Sequence, residues 1–298
     1  MLDEKILYKV SLLGVLAFSS LDSTAAILRI YPAVELQFTT DAGKYYQIES
    51  SSNLVNWTAT GSLIIGTGSD FNLLVSTKDT NHRFFRSQEV DATPGLVAFY
   101  RFDGSATDSS TNGNHGIPSN ITSTTNRFGR LNAAYQFSGA VGSFVRVPHS
   151  PSLDITKSIT LAAWINFEVG GSSSPRIINK SVYDLSTATA SQAIRTIGFT
   201  IKESGESLLL TPTQVAHAGK WHFAAGTFDG SLMRIYLDAE LVAEREAPAG
   251  IRANDLDVNI GMNTDNGDDR YKGIIDDAQI YNRALTIEEI RALFNKAD

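Results

Sequence analysis

Apolar and polar residues alternate in short runs along most of the chain, the period-two pattern of strands with one buried face. Early in the chain this predicts strands at Val34–Thr39, Tyr45–Ser50, Phe71–Ser76 and Arg83–Val90. Each is rich in aromatic or β-branched residues, and Asp41-Ala-Gly43 supplies hairpin-loop chemistry between the first two. Further strands are expected at Leu96–Phe102, Ala133–Phe137, Ser143–Val147, Ile159–Phe167, Arg176–Asn179 and Ile197–Lys202. The series continues with Ser207–Thr211, Trp221–Phe228, Leu232–Leu237, Leu256–Ile260 and Lys272–Tyr281. A helical pattern enters only at the end. Thr286 and Glu289 form a capping box, Glu288 and Glu289 sit in the first turn, and Ile290, Leu293 and Phe294 share a face. One helix after so many strands excludes a βαβ enzyme and predicts an all-β antiparallel sandwich.

The turn-rich segment Asp91-Ala-Thr-Pro-Gly95 reads as a junction. It divides a small β-sandwich module, residues 27–91, from a larger domain, residues 92–298. Residues 1–26 read as a signal segment: Lys5 and Lys9 precede the apolar run Val10–Phe18, and Ser23-Thr-Ala-Ala26 suits a cleavage site. Asp3 and Glu4 depart from a purely basic leader. The apolar run is shorter than the roughly 20 residues that span a bilayer, so no membrane span is expected.

Composition narrows the function. The chain has 298 residues, a formal net charge of -7 and no cysteine. Disulfide frameworks, thiolate metal sites and cysteine catalysis are excluded together. Without a Lys/Arg cluster there is no basic stripe to displace counterions, which excludes nucleic acid as a partner.

Several segments resemble a known family. Leu96-Val-Ala-Phe-Tyr-Arg-Phe-Asp103 is similar to the opening strand of laminin-G-like jelly rolls, and Asp108-Ser-Ser-Thr-Asn-Gly-Asn-His-Gly116 to their acidic loop. Ala133–Gly139, Ser158–Ile165, Lys220–Gly230, Ile235–Asp238 and Gly273–Leu285 follow in the family's order. The family usually continues Asp238 with Gly, where Ala239 stands here, which puts the tight turn in question. The resemblance implies a two-sheet, concanavalin A-like jelly roll with a short C-terminal helix. It further implies an exported, bacterial, cell-surface or secreted protein that binds glycans or extracellular proteins. In the preceding segment, Tyr45–Trp57 with Phe84-Phe-Arg86 resembles small fibronectin-like modules.

Candidate chemistry lies in the acidic and aromatic residues. Relatives by architecture include glucanases, yet their row of Glu, Asp and Glu on one strand is missing, so no enzyme is expected. No G-x-S-x-G elbow or paired zinc histidines occur, and His222 reads as structural. In Asp255-Leu-Asp-Val-Asn259, strand alternation puts Asp255, Asp257 and Asn259 on one face. That row reads either as a solvated edge or as a ligand row beside Arg234, Tyr236 and Tyr271. Trp164 and Trp221 resemble the family's core tryptophans, and Trp57 reads as core as well. A Ca2+ site is the sharper expectation. If the opening and closing strands pair antiparallel, Asp103 and Asp276 meet, and strand parity with Ile274, Ala278 and Ile280 turns Asp276 toward the core. The competing reading has Asp276 accepting backbone hydrogen bonds. The loops Asp108–Gly113 and Asn263–Asp269 read as Asx-type turns, the second also as a rim calcium or sugar site. Three functions follow: a carbohydrate-binding or adhesive protein stabilised by calcium, a scaffold sandwich without sugar affinity, and, last, a glycoside hydrolase.

Overall fold

The computed structural model describes residues 33–41, 44–60, 64–76, 83–90, 94–191, 193–203, 206–210, 214–247 and 250–296. The signal segment expected at 1–26 lies outside them, as do Ala42 and Gly43 of the first hairpin loop. The chain divides into two compact units, Met1–Thr93 and Pro94–Asp298.

The smaller unit contains β1 (Ala33–Thr39), β2 (Tyr45–Ser51), β3 (Thr58–Ala59), β4 (Ile64–Ile65), β5 (Asp70–Ser76) and β6 (Phe84–Val90). β1 pairs with β5, while β2 pairs with β3, β4 and β6, all antiparallel. Alternation along β2 buries Tyr46 and Ile48, which join Phe38 and Phe85 in a small core. Trp57 is half-buried, with the Arg86 guanidinium 4.4 Å from its ring centre.

The larger unit opens with β7 (Leu96–Tyr100), β8 (Ile117–Ser119), β9 (Ile121–Thr124), β10 (Ala134–Ser138), β11 (Phe144–Val147) and β12 (Ile159–Phe167). It continues with β13 (Arg176–Asn179), β14 (Tyr183–Ser191), β15 (Ile194–Glu203), β16 (Glu206–Leu210) and β17 (Ala216–His217). β18 (His222–Phe228), β19 (Leu232–Leu237), β20 (Glu240–Glu246), β21 (Val258–Ile260) and β22 (Lys272–Tyr281) precede α1 (Ile287–Phe294). The first sheet runs β20-β19-β18-β12-β22-β10-β9, with β7 also on β22. The second runs β16-β15-β14-β13-β21-β11-β8, with β17 on β15. Their facing sides form one core, in which Leu161, Ile165 and Phe167 of the first sheet meet Leu185, Phe199 and Ile260 of the second.

β12 is buried on both faces because α1 covers the outside of the first sheet. The helix starts on the Thr286–Glu289 capping box, and Arg283 grips Glu289 through two bonds of 2.6 and 2.5 Å. Ile290, Leu293 and Phe294 lie against Trp164 and Phe223, with the Trp164 and Phe294 rings stacked 5.3 Å apart. Trp164 is thus buried beneath the helix, outside the inter-sheet core. The tight turn after β19 forms without glycine: Asp238 and Ala239 both take left-handed φ angles, 51° and 64°.

A bulge in β22 resets the strand's parity. Trp164 pairs with Asp276 but Ala162 with Gln279, and Asp277 takes up the extra residue at φ 46°. Ile275 and Ala278 therefore face the core, and Asp276 faces outward beside Trp164. The expectation that Asp276 points to the core side was wrong because it assumed unbroken alternation.

Candidate ligand-binding site

The outer face of the second sheet carries a polar trough. β14 turns Tyr183 and Leu185 into the core, leaving Asp184, Ser186 and Ala188 outward. β15 likewise buries Ile197, Phe199 and Ile201 and presents Gly198, Thr200 and Lys202. Register then aligns side chains across strands. Arg146 stands opposite Asn259, Asn259 opposite Asn179, Asn179 opposite Asp184, and Asp184 opposite Thr200. With neighbouring strands about 4.8 Å apart, this row extends for about 19 Å. A second row sets Arg176, Ser186 and Gly198 side by side. Small residues on the floor leave an open cavity of about 290 Å³, near the lower end for ligand sites.

Hydrogen bonds fix the trough's polar groups. Asp184 is buried; its Oδ2 accepts from Arg176 Nη1 at 2.8 Å and its Oδ1 from Asn179 Nδ2 at 3.2 Å. Burial pushes its carboxyl above the usual range, against the pull of Arg176, Asn179 and Ser186. Arg176 reaches further to Asp269 at 3.3 Å. The Asn263–Asp269 loop forms the wall: the Thr264 N–H donates to Asn179 Oδ1 at 2.8 Å, and Lys202 lies 3.4 Å from Asp265. This loop is therefore bound to the trough, with Asn263 Nδ2 on Asp269 and Asn263 Oδ1 accepting from the Asp265 N–H.

The residues singled out from sequence scatter. Asn259 lies in the row and is buried, but it does not line the cavity. Asp257 precedes β21; it pairs with Arg146 at 3.1 Å and accepts the His149 N–H at 2.8 Å. Asp255 is exposed, and Leu256, expected inward, is 42% exposed, because the strand starts only at Val258. A continuous Asp255–Asp257–Asn259 row does not exist. Arg234 and Tyr236 sit on β19 in the first sheet, so the expected juxtaposition with Asp257 fails: the two groups belong to different sheets. They line a separate groove of about 340 Å³ with Leu241, Leu285 and Ile287, and Tyr236 is buried. Tyr271 is a core residue, fully buried and edge-on to Phe137, not a ligand contact.

Asp276 has found a different cation. Its Oδ2 accepts from Arg127 Nη1 at 2.8 Å, and Arg127 Nη2 donates to Asp277 at 2.8 Å. Its Oδ1 accepts the Asp277 N–H at 2.8 Å, while Asp103 is exposed and pairs with Arg130. These oxygens are committed to protein donors and do not fit the six to eight ligands calcium takes. Among the described residues no group of three or more Asp, Glu, His or Cys side chains converges to hold a metal. Asp108 is saturated by donors from Phe99, Ser110 and Asn114, which makes its loop a closed Asx-type turn. His222 is held at both ring nitrogens: Nε2 accepts the His217 N–H at 3.0 Å, so Nδ1 carries the proton given to Asp238 at 2.8 Å.

The site's central acid was missed because Tyr183–Ser191 is rich in Ser, Thr and Ala and lacks the apolar run of an ordinary strand. The alternation of Tyr183 and Leu185 with Asp184 and Ser186 was the available signal.

Comparison with known proteins places this geometry in a family. No curated protein matches the sequence. Among solved structures, the binding domain of Paraclostridial Mosquitocidal Protein 1 aligns with a TM-score of 0.56 at 14% identity, over 67% of this chain and 52% of that one. Domain 4 of AbnA, an extracellular GH43 arabinanase of Geobacillus stearothermophilus, aligns at 0.53 and 20% identity, over 67% and 98%. The Botulinum neurotoxin serotype G binding domain gives 0.52 and 15%, over 67% and 50%. This chain thus spans about half the length of the two toxin domains, and at these identities the likeness is one of fold. Among the described residues no helix is long and apolar enough to cross a membrane. Residues 137–291 match the family model of the concanavalin A-like lectin/glucanases superfamily, and the chain belongs to that superfamily.

Proposed function

We propose that the larger unit is a non-catalytic glycan-binding module of an exported protein, with its site in the trough of β13, β14 and β15. The observation that carries this reading is the row of amides, hydroxyls and carboxylate from Asn179 to Thr200, held rigid on adjacent strands around an open cavity. Sugar hydroxyls both donate and accept, and such a row offers both roles at fixed spacing. Domain 4 of AbnA, a relative in fold, was solved in complex with arabinotriose, which supports a glycan over a protein surface as the ligand. The carboxylates lining the trough are each engaged: Asp184 by Arg176 and Asn179, Asp265 by Lys202. Glycoside hydrolysis instead needs an acid and a base free to move protons across the scissile bond. The reading requires no calcium, since Arg127 supplies the charge at Asp276.

A glycan array probed with the parent and with Ala188→Trp tests it. Ala188 is half-buried on the trough, and an indole there fills the cavity. The parent binds a defined set of neutral glycans and the folded variant binds none of that set. Equal binding by both proteins refutes the site.

A further inference from the structure

The outer face of the first sheet carries a cationic pair that the trough does not use. Phe99 of β7 points outward and is 6% exposed. Two cations cover it: the Arg101 guanidinium lies 5.2 Å from the ring centre and the Lys296 ammonium 5.0 Å. Neither makes an ion pair or hydrogen bond among the described residues, whereas nearby Arg127 and Arg130 are committed to Asp276, Asp277 and Asp103. Two like charges on one ring repel each other. The Lys296 ammonium is held below the ordinary lysine range by its desolvation and by Arg101 and Arg127, against the pull of Asp277. In a chain of net charge -7 this local surplus has no counterpart in the overall charge. An oxyanion seated between the two cations would gain charge-assisted hydrogen bonds from both and relieve their repulsion.

We propose that Arg101 and Lys296, converging over Phe99, form a site for the carboxylate or sulfate group of an acidic glycan. The site does not rest on the trough, and either can fail alone.

Affinity electrophoresis of the full chain in gels containing polygalacturonate, with neutral galactan gels as reference, tests the proposal. The parent is retarded by polygalacturonate, and Arg101→Ala/Lys296→Ala weakens that retardation at least tenfold. Lys157→Ala, which removes an exposed lysine elsewhere, leaves it unchanged, as does the trough variant Ala188→Trp. Competition with inorganic sulfate separates a free anion from a sugar acid: sulfate displaces polygalacturonate only at far higher concentration. A parent that is not retarded, a double variant retarded like the parent, an equal loss in Lys157→Ala, or binding of sulfate alone overturns the proposal.

Discussion

Asp276→Asn should remove a pH dependence that burial of its carboxyl beside Asp277 creates. Asp276 is 2% exposed, and its carboxyl is raised from 3.8 to about 7. Burial is the main cause, followed by the charge of Asp277, with Asp103 adding to it; Arg127 and the Asp277 N–H pull the other way. The folded-state value lies above the unfolded one. Between them the folded chain keeps a proton that the unfolded chain has lost, so stability falls as pH rises through this window. About three pH units at about 1.4 kcal/mol each give a loss of about 4 kcal/mol, complete above about pH 7. Asparagine cannot ionise and escapes this loss. Its amide Oδ1 still accepts the Asp277 N–H, but an NH2 group replaces the Oδ2 that accepts from Arg127 Nη1, a pH-independent cost of about 1 kcal/mol. Urea unfolding followed by tryptophan fluorescence at pH 4.5 to 8 reads the difference between the two proteins. The variant gains on the parent by about 3 kcal/mol from pH 4.5 to 7 and stays level beyond. A difference that is flat with pH would mean that Arg127 keeps Asp276 ionised throughout, and the reasoning fails.

Three further outcomes are expected. Thr286→Ala removes the capping hydroxyl of α1 and costs about 1 kcal/mol in denaturant unfolding; unchanged stability would mean the Arg283–Glu289 grip alone sets the helix start. Tyr271→Ala empties a core position at a cost of about 3–5 kcal/mol, while the folded fraction binds glycan like the parent; lost binding without lost stability would return Tyr271 to the site. Thermal unfolding gives the same midpoint in calcium and in chelator, since an ion at 100 times its Kd would add about 2.7 kcal/mol, and a midpoint that falls with chelator contradicts the account of Asp276.

The fold was readable because alternation is a property of each strand alone. Ile159–Phe167, Leu232–Leu237 and Lys272–Tyr281 lie where the pattern put them, and the capping box at Thr286 starts the helix. What failed depended on partners. The parity of Asp276 turned on a bulge that only pairing with β12 reveals. The cation for its carboxylate came from Arg127, far along the chain in a loop that no local pattern links to β22. Tyr236 and Asp257 were placed together although strand order puts them on separate sheets. Asn259 did fall in the polar row, because its two apolar neighbours fix its face, but Asp184 beside it sat in a stretch too poor in large apolar residues to read as a strand.

The central claim is that glycan binds across β13, β14 and β15 on the outer face of the second sheet. Amide chemical-shift mapping, with an oligosaccharide selected by the array titrated into the full chain, tests it most directly. The account predicts saturable shifts clustered at Asn179, Asp184, Ser186, Thr200 and Lys202. Shifts confined to the groove of Arg234, Tyr236 and Ile287 would contradict it and move the site to the opposite sheet.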